Sequence, residues 1–185
     1  MRGNSAGAGI VRTFKGGHFD HVAIIVRTDS DEAGDLTIIE AVSNHGVSSN
    51  HWLSIREEIG KDKFYEKVAL RKLTAERTME WLLTFDRFVE EVWHLNYGVA
   101  SKLFSSNTRD SVALTDQSGR RFVEESRTFF CSELVAKAYK VLGVFDTTRH
   151  SACFFPKDFY LYPGSLPFAS GHNLSPCYNV SLSFE

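Results

Sequence analysis

The sequence predicts an α+β fold, with a small antiparallel sheet packed against a helix that opens on a cysteine. Three stretches carry the prediction. His21-Val22-Ala23-Ile24-Ile25-Val26 and Leu36-Thr37-Ile38-Ile39-Glu40-Ala41-Val42 are short β-branched runs joined by an acidic connection containing Gly34, the pattern of an antiparallel hairpin. Behind Cys131, the residues Leu134, Val135, Ala138, Val141 and Leu142 recur at helical spacing, and Gly143 follows as a stop. A chain of 185 residues, 43% of them hydrophobic, is long enough for one core, so a single domain over 1–185 is expected.

Little chain precedes the first β run, so any strand upstream of it is expected to be missing or shortened. If Arg27 faces Leu36 in the hairpin, His21 opposes Val42 and Ala23 opposes Glu40. His21 and Glu40 then project from one face as diagonal neighbours. A slip of two residues keeps them together, and a slip of one separates them. His45 and His51 fall in a Gly/Ser/Asn-rich segment that reads as loop. Val68 to Leu73 reads as a strand, and Thr74 to His94 as the longest helix, with Met79, Leu82, Phe85, Val89 and Val92 on one face. Trp81, Phe88 and Trp93 widen that face enough to predict burial on more than one side. Ser105 to Gln117 reads as loop, and Phe122 and Val123 as a short extended piece. From Phe145 onward the reading is largely irregular, broken by Pro156, Pro163, Pro167 and Pro176. Of the late phenylalanines, Phe145, Phe154, Phe155, Phe159 and Phe168, most read as core, with a loop carrying Phe154, Phe155 and Pro156 as an alternative wall for an apolar substrate groove.

The chemistry of interest lies where the hairpin meets the cysteine helix. With Thr128 as N-cap, Cys131 sits in the first helical turn, where the macrodipole favours a negative charge. A thiolate is the reactive form of cysteine. A cysteine on the stripe 131, 134, 135, 138 is equally at home as a core residue, since unpaired cysteine is often buried. The polar His21 at the head of an apolar strand favours the reactive reading, because a carboxylate on its far ring nitrogen would fix the tautomer and stabilise the imidazolium.

Metal readings are weaker. Asp29, Asp31, Gly34 and Glu40 fall at positions 1, 3, 6 and 12 of a calcium-loop pattern, but Ala33 stands at position 5 and β runs flank the loop. His18 and His21 are three apart, on opposite sides of a strand, and a zinc site of His18, His21 and Cys131 lacks close Cys/His spacing. No metal and no cofactor is expected. A net charge of −2 offers no basic footprint for nucleic acid. No apolar run approaches the roughly 18 residues needed to cross a bilayer, and the start does not read as a secretory signal. A cytoplasmic location is therefore expected, with Cys153 and Cys177 reduced and structural.

The order His21-x-Ala23-Ile24-Ile25-Val26, Ile38-Ile39-Glu40-Ala41-Val42 with His45-Gly46-Val47, Tyr97-Gly98, then Phe130-Cys131-Ser132-Glu133-Leu134-Val135 resembles the circularly permuted papain-like amidases. These are the YiiX/YaeF-like branch of the NlpC-type cysteine hydrolase superfamily. The resemblance runs from about Gly17 to Phe159. It implies a permuted papain-like fold in which the histidine strand precedes the cysteine helix. It also implies Cys131 as nucleophile, His21 as general base and Glu40 as the group that orients His21. The substrate it implies is peptide-like or an acyl amide, with Tyr97 beside it. Family members carry an upstream strand beginning Gly-Asp and a Tyr-Asp pair, where this chain has Tyr97-Gly98. Two alternatives remain open. One is an acyltransferase or lipid hydrolase similar to lecithin:retinol acyltransferase, whose relatives carry Asn-Cys-Glu-His and whose chemistry would bring lipid or membrane-surface contact. The other is a catalytically silent peptide- or lipid-binding module.

Overall fold

In the computed structural model, which describes residues 2–3, 19–27, 36–55, 65–98, 128–160 and 163–180, the chain is a mixed α+β protein with small antiparallel sheets and a few helices. A two-residue strand, β1 (Arg2–Gly3), pairs with a later strand. The sheet that carries the site is β2 (Ile24–Arg27), β3 (Leu36–Val42) and β4 (Gly46–His51), in that order. The β2–β3 ladder runs from Arg27↔Leu36 to Ile24↔Ile39. This is the register that brings His21 and Glu40 to one neighbourhood.

β3 is covered on both sides. Ile39 and Ala41 belong to the main core, and Ile38 to a smaller cluster with Ile55, Val68, Ala23, Ile25, Trp52 and Val180. Two-sided cover explains why β3 is apolar almost throughout rather than alternating.

The segment read as loop around His45 and His51 is in fact β4, with Ser43 to His45 as its turn. His45 N–H donates to the Val42 carbonyl at 3.3 Å, and Gly46 follows with φ +70°. Glycine is required there twice over. A side chain would be strained at that φ, and a Cβ would fall 2.3 Å from the Leu95 carbonyl oxygen. Polar Ser48, Ser49 and Asn50 give β4 a weak strand signal. Its backbone pairing makes the strand: the β3 ladder on one edge, and on the other Val47 N–H to Leu95 O at 2.8 Å and His94 N–H to Val47 O at 3.2 Å.

The stretch read as one strand, Val68 to Leu73, is split between β5 (Tyr65–Leu70) and β6 (Leu73–Thr74). Helix α1 (Met79–Val92) therefore begins later than Thr74, at Thr78, whose hydroxyl accepts from the Trp81 N–H at 3.2 Å. Its buried stripe is Phe85, Phe88 and Val92, at spacings of three and four. Burial on more than one side is not what the structure has: Met79 is 70% exposed, and Leu82 and Leu83 are exposed with it.

Helix α2 (Cys131–Val141) differs, since Cys131 to Ala138 are all buried, the charged Glu133 and Lys137 included. Leu134, Val135, Ala138 and Val141 pack in one cluster with Ile39, Ala41, Phe85 and Phe88. Full burial of a side chain such as Leu134 is worth about 1.5–3 kcal/mol. Phe130 is the N-cap, in extended conformation, so Thr128 does not cap this helix as expected. Thr128 packs instead on Gly98, where a Cβ would lie 1.8 Å from its hydroxyl oxygen. Gly143, at φ +68°, ends the helix where a stop was expected.

The C-terminal part is more regular than its prolines suggest. Pro156 opens α3 (Pro156–Tyr160), as proline suits the first helical position. β7 (Asn173–Leu174) pairs with β6, and β8 (Tyr178–Val180) with β5. Arg71 stitches this segment down, donating to the carbonyls of Ser175 at 2.7 Å, Phe159 at 3.0 Å and Leu174 at 3.3 Å. The expected loop and extended piece between Ser105 and Val123 lie outside the described residues. Among the described residues no helix is long and apolar enough to cross a membrane.

Candidate active site

The backbone brings the two halves of the site together. Residues 21–23 lead into β2, and β3 carries Glu40 beside them. On the other side, an isolated bridge between Tyr97 and Phe129 delivers the chain to α2, with Phe129 N–H to Asn96 O at 3.0 Å and Gly98 N–H to Phe129 O at 3.1 Å. Because the helix starts immediately after Phe130, Cys131 is its first helical residue. The Glu133 carboxylate accepts from the Phe130 N–H at 3.4 Å, which steadies the cap from within. Ser132 donates its hydroxyl to the Phe154 carbonyl at 2.7 Å, tying the helix start to the segment after it.

The three polar groups form a row. His21 Nε2 lies 2.7 Å from Glu40 Oε2, and both side chains are largely buried. The Cys131 side chain interacts with the same imidazole, within hydrogen-bonding reach of the ring. Cys131 Sγ also lies 3.9 Å from the Asp20 carbonyl oxygen. Burial by itself would lower the His21 pKa. The negative Cys131 and the hydrogen bond to it, followed by the hydrogen bond and charge of Glu40, outweigh burial and raise it to about 9. An imidazole that holds its proton beside a cysteine is the arrangement a thiolate–imidazolium pair requires, and the thiolate is the nucleophilic form.

Tyr97 lies beside this pair. Burial pushes its hydroxyl pKa up, and the charge of Cys131 pushes it further. Its ring is tilted against Phe130 at 5.6 Å between centroids. Phe154 does not line a groove: it is fully buried, stacked on Phe145 at 5.3 Å and covered by the Arg149 guanidinium at 4.4 Å. Phe145 and Phe159 claim it for the core. Phe155 is half-buried, and its N–H donates to Asp158 Oδ2 at 2.8 Å at the head of α3. Asp20 escaped the sequence reading because its contact with the sulfur is made by a backbone carbonyl, which leaves no signature in residue type. Cys131, His21 and Glu40 thus meet, Tyr97 flanks them, and Phe154 is packed in the core.

Among the described residues no group of three or more His, Cys, Asp or Glu could hold a metal ion. Asp29, Asp31, Gly34 and His18 lie outside them, while His45 and His51 are exposed. No disulfide joins Cys131, Cys153 and Cys177. Nothing matches this chain in comparisons with family models, curated proteins and solved structures.

Proposed function

We propose that this protein is a cysteine hydrolase that cleaves an amide or peptide-like bond through an acyl-thioester. The observation that carries the reading is the hydrogen-bonded row Cys131–His21–Glu40 at the start of a buried helix. The thiolate of Cys131 attacks the substrate carbonyl carbon, and the carbonyl π electrons move to oxygen. The first-turn amides of α2, that of Cys131 among them, lie outside the i→i−4 ladder by position and point at the growing oxyanion. The His21 imidazolium then gives its proton to the leaving nitrogen, and the C–N bond breaks to leave the acyl-thioester. Neutral His21 next takes a proton from water, the hydroxide attacks the thioester, and the acid and the Cys131 thiolate are released with His21 again protonated. Glu40 holds the ring and stabilises its charge throughout.

The histidine-first order and the resemblance to the permuted papain-like amidases support the same reading, and with it a permuted papain-like fold. Three thiols without a disulfide suit a reducing compartment, the cytoplasm in this reading. The test is a panel of peptides, acyl amides and esters read by mass spectrometry, both for products and for an acyl adduct on Cys131. Turnover that needs Cys131, with water in the product, is the expected result. Transfer of the acyl group to an added amine in preference to water would make the protein an acyltransferase. Neither turnover nor adduct above Cys131→Ala across the panel would overturn the enzymatic reading.

A further inference from the structure

Across the three-stranded sheet, Glu40 has a polar neighbour that the catalytic row does not use. In the β3–β4 ladder Ser48 stands directly opposite Glu40. Directly opposed residues of an antiparallel pair project from the same face, with Cβ atoms roughly 4.5–5.5 Å apart. Glu40 on the central strand is therefore flanked by His21 from the β2 side and Ser48 from the β4 side. The Ser48 hydroxyl oxygen is buried and has no hydrogen-bond partner among the described residues. A buried hydroxyl left unpaired costs about 1–3 kcal/mol, so its retention calls for an acceptor within reach. The opposing carboxylate offers one: His21 occupies Oε2, a carboxylate has about four lone-pair sites, and serine changes χ1 among staggered wells.

Resting on the cysteine-hydrolase reading of this site, we propose that Ser48 is a positioning residue whose hydroxyl donates to Glu40 and fixes the carboxylate against His21. The bond forms when χ1 of Ser48 turns toward the carboxylate. It acts on Cys131 only through Glu40 and His21, and a firmly held carboxylate keeps the imidazolium, and hence the thiolate, in register.

Because the substrate is not identified, the readout is the rate at which iodoacetamide labels Cys131 at pH 6, followed by peptide mapping of the full chain. Ser48→Ala is expected to slow labelling about fivefold, the weight of one hydrogen bond. Ser48→Thr, which keeps the hydroxyl and suits a strand, is expected to restore the rate. Introduced into Glu40→Ala, which leaves the hydroxyl no carboxylate to donate to, Ser48→Ala is expected to add nothing, whereas a merely structural role would multiply the two losses. Far-UV circular dichroism checks that each variant is folded. Wild-type labelling in Ser48→Ala, or multiplied losses in the double variant, overturns the Ser48 role; if Glu40→Gln still slows labelling, the site reading survives that result. A wild-type rate no higher than that of His21→Ala brings down the site reading and this inference with it.

Discussion

The two longest helices among the described residues are built to opposite plans. α1 caps itself with Thr78 and buries one stripe, leaving Met79, Leu82 and Leu83 outside. α2 starts after Phe130, whose side chain has no acceptor to offer, and is buried along its first eight residues. A helix whose work is to cover a core can satisfy its own N-terminus and show solvent a face. In the proposed mechanism α2 works at its first residue, and packing along the rest of the helix holds that end in place. Rigidity along α2 is what fixes Cys131 against His21 to within a hydrogen bond.

The hardest test of this contrast is at the N-terminus of α2. Cys131→Ala and His21→Ala are each expected to cut kcat/KM by about a thousandfold or more on any substrate found, because nucleophile and base act as a unit. Both variants should melt as cooperatively as the wild type. Full activity in Cys131→Ala would remove the helix start from the mechanism. Next comes packing. Leu134→Ala empties a fully buried site and should cost about 2–5 kcal/mol in a denaturant melt. Leu82→Ala on the exposed face of α1 should stay within about 0.5 kcal/mol of wild type. Equal losses would mean that the two helices are not differently embedded.

His21 reports the contrast through its proton. NMR titration of the ring should give a pKa near 9, falling in Cys131→Ala and falling less in Glu40→Gln, since Cys131 contributes more to the rise than Glu40 does. The folded-state pKa lies above the ordinary 6.5, so the stability linked to His21 is complete below about 6.5 and lost as pH rises through about 9. A His21→Ala reference measured in parallel isolates that component. In turnover, Glu40→Gln should retain activity reduced about tenfold to a hundredfold, the range seen when an outer-shell partner is lost. If it matches wild type, Glu40 does not orient the base.

Much of the site was legible in the sequence because few alternatives fit. Two β-branched runs joined by a short acidic connection pin a register, and that register makes His21 and Glu40 neighbours. The periodic stripe behind Cys131 and the stop at Gly143 mark a helix from local pattern alone. Elsewhere tertiary pairing overrode local signal. Ser48, Ser49 and Asn50 form a strand because β3 and the Leu95 backbone supply the ladder. Phe154 reads as a loop aromatic beside proline, yet Phe145, Arg149 and Phe159, from the segments on either side of it, close around its ring. The start of α2 was misplaced for a related reason: Thr128 has the chemistry of a cap, but its contact with Gly98 takes the side chain away from the helix.

The smallest effect tests the caps themselves. Thr78 accepts from the Trp81 N–H, so Thr78→Ala leaves that first-turn donor to water and should cost about 1 kcal/mol. Thr78→Ser keeps the acceptor and should cost less than half as much. Thr128→Ser, by contrast, should leave α2 uncapped by any side chain as it is now, and any loss should come from the methyl group packed near Gly98. The two serine substitutions are chemically identical, so their difference in a denaturant melt isolates cap from contact. Were Thr128→Ala to lower stability by about 1 kcal/mol while Thr128→Ser matched wild type, the hydroxyl would be acting as a cap after all. The helix would then begin at Phe129, and Cys131 would move to its third residue.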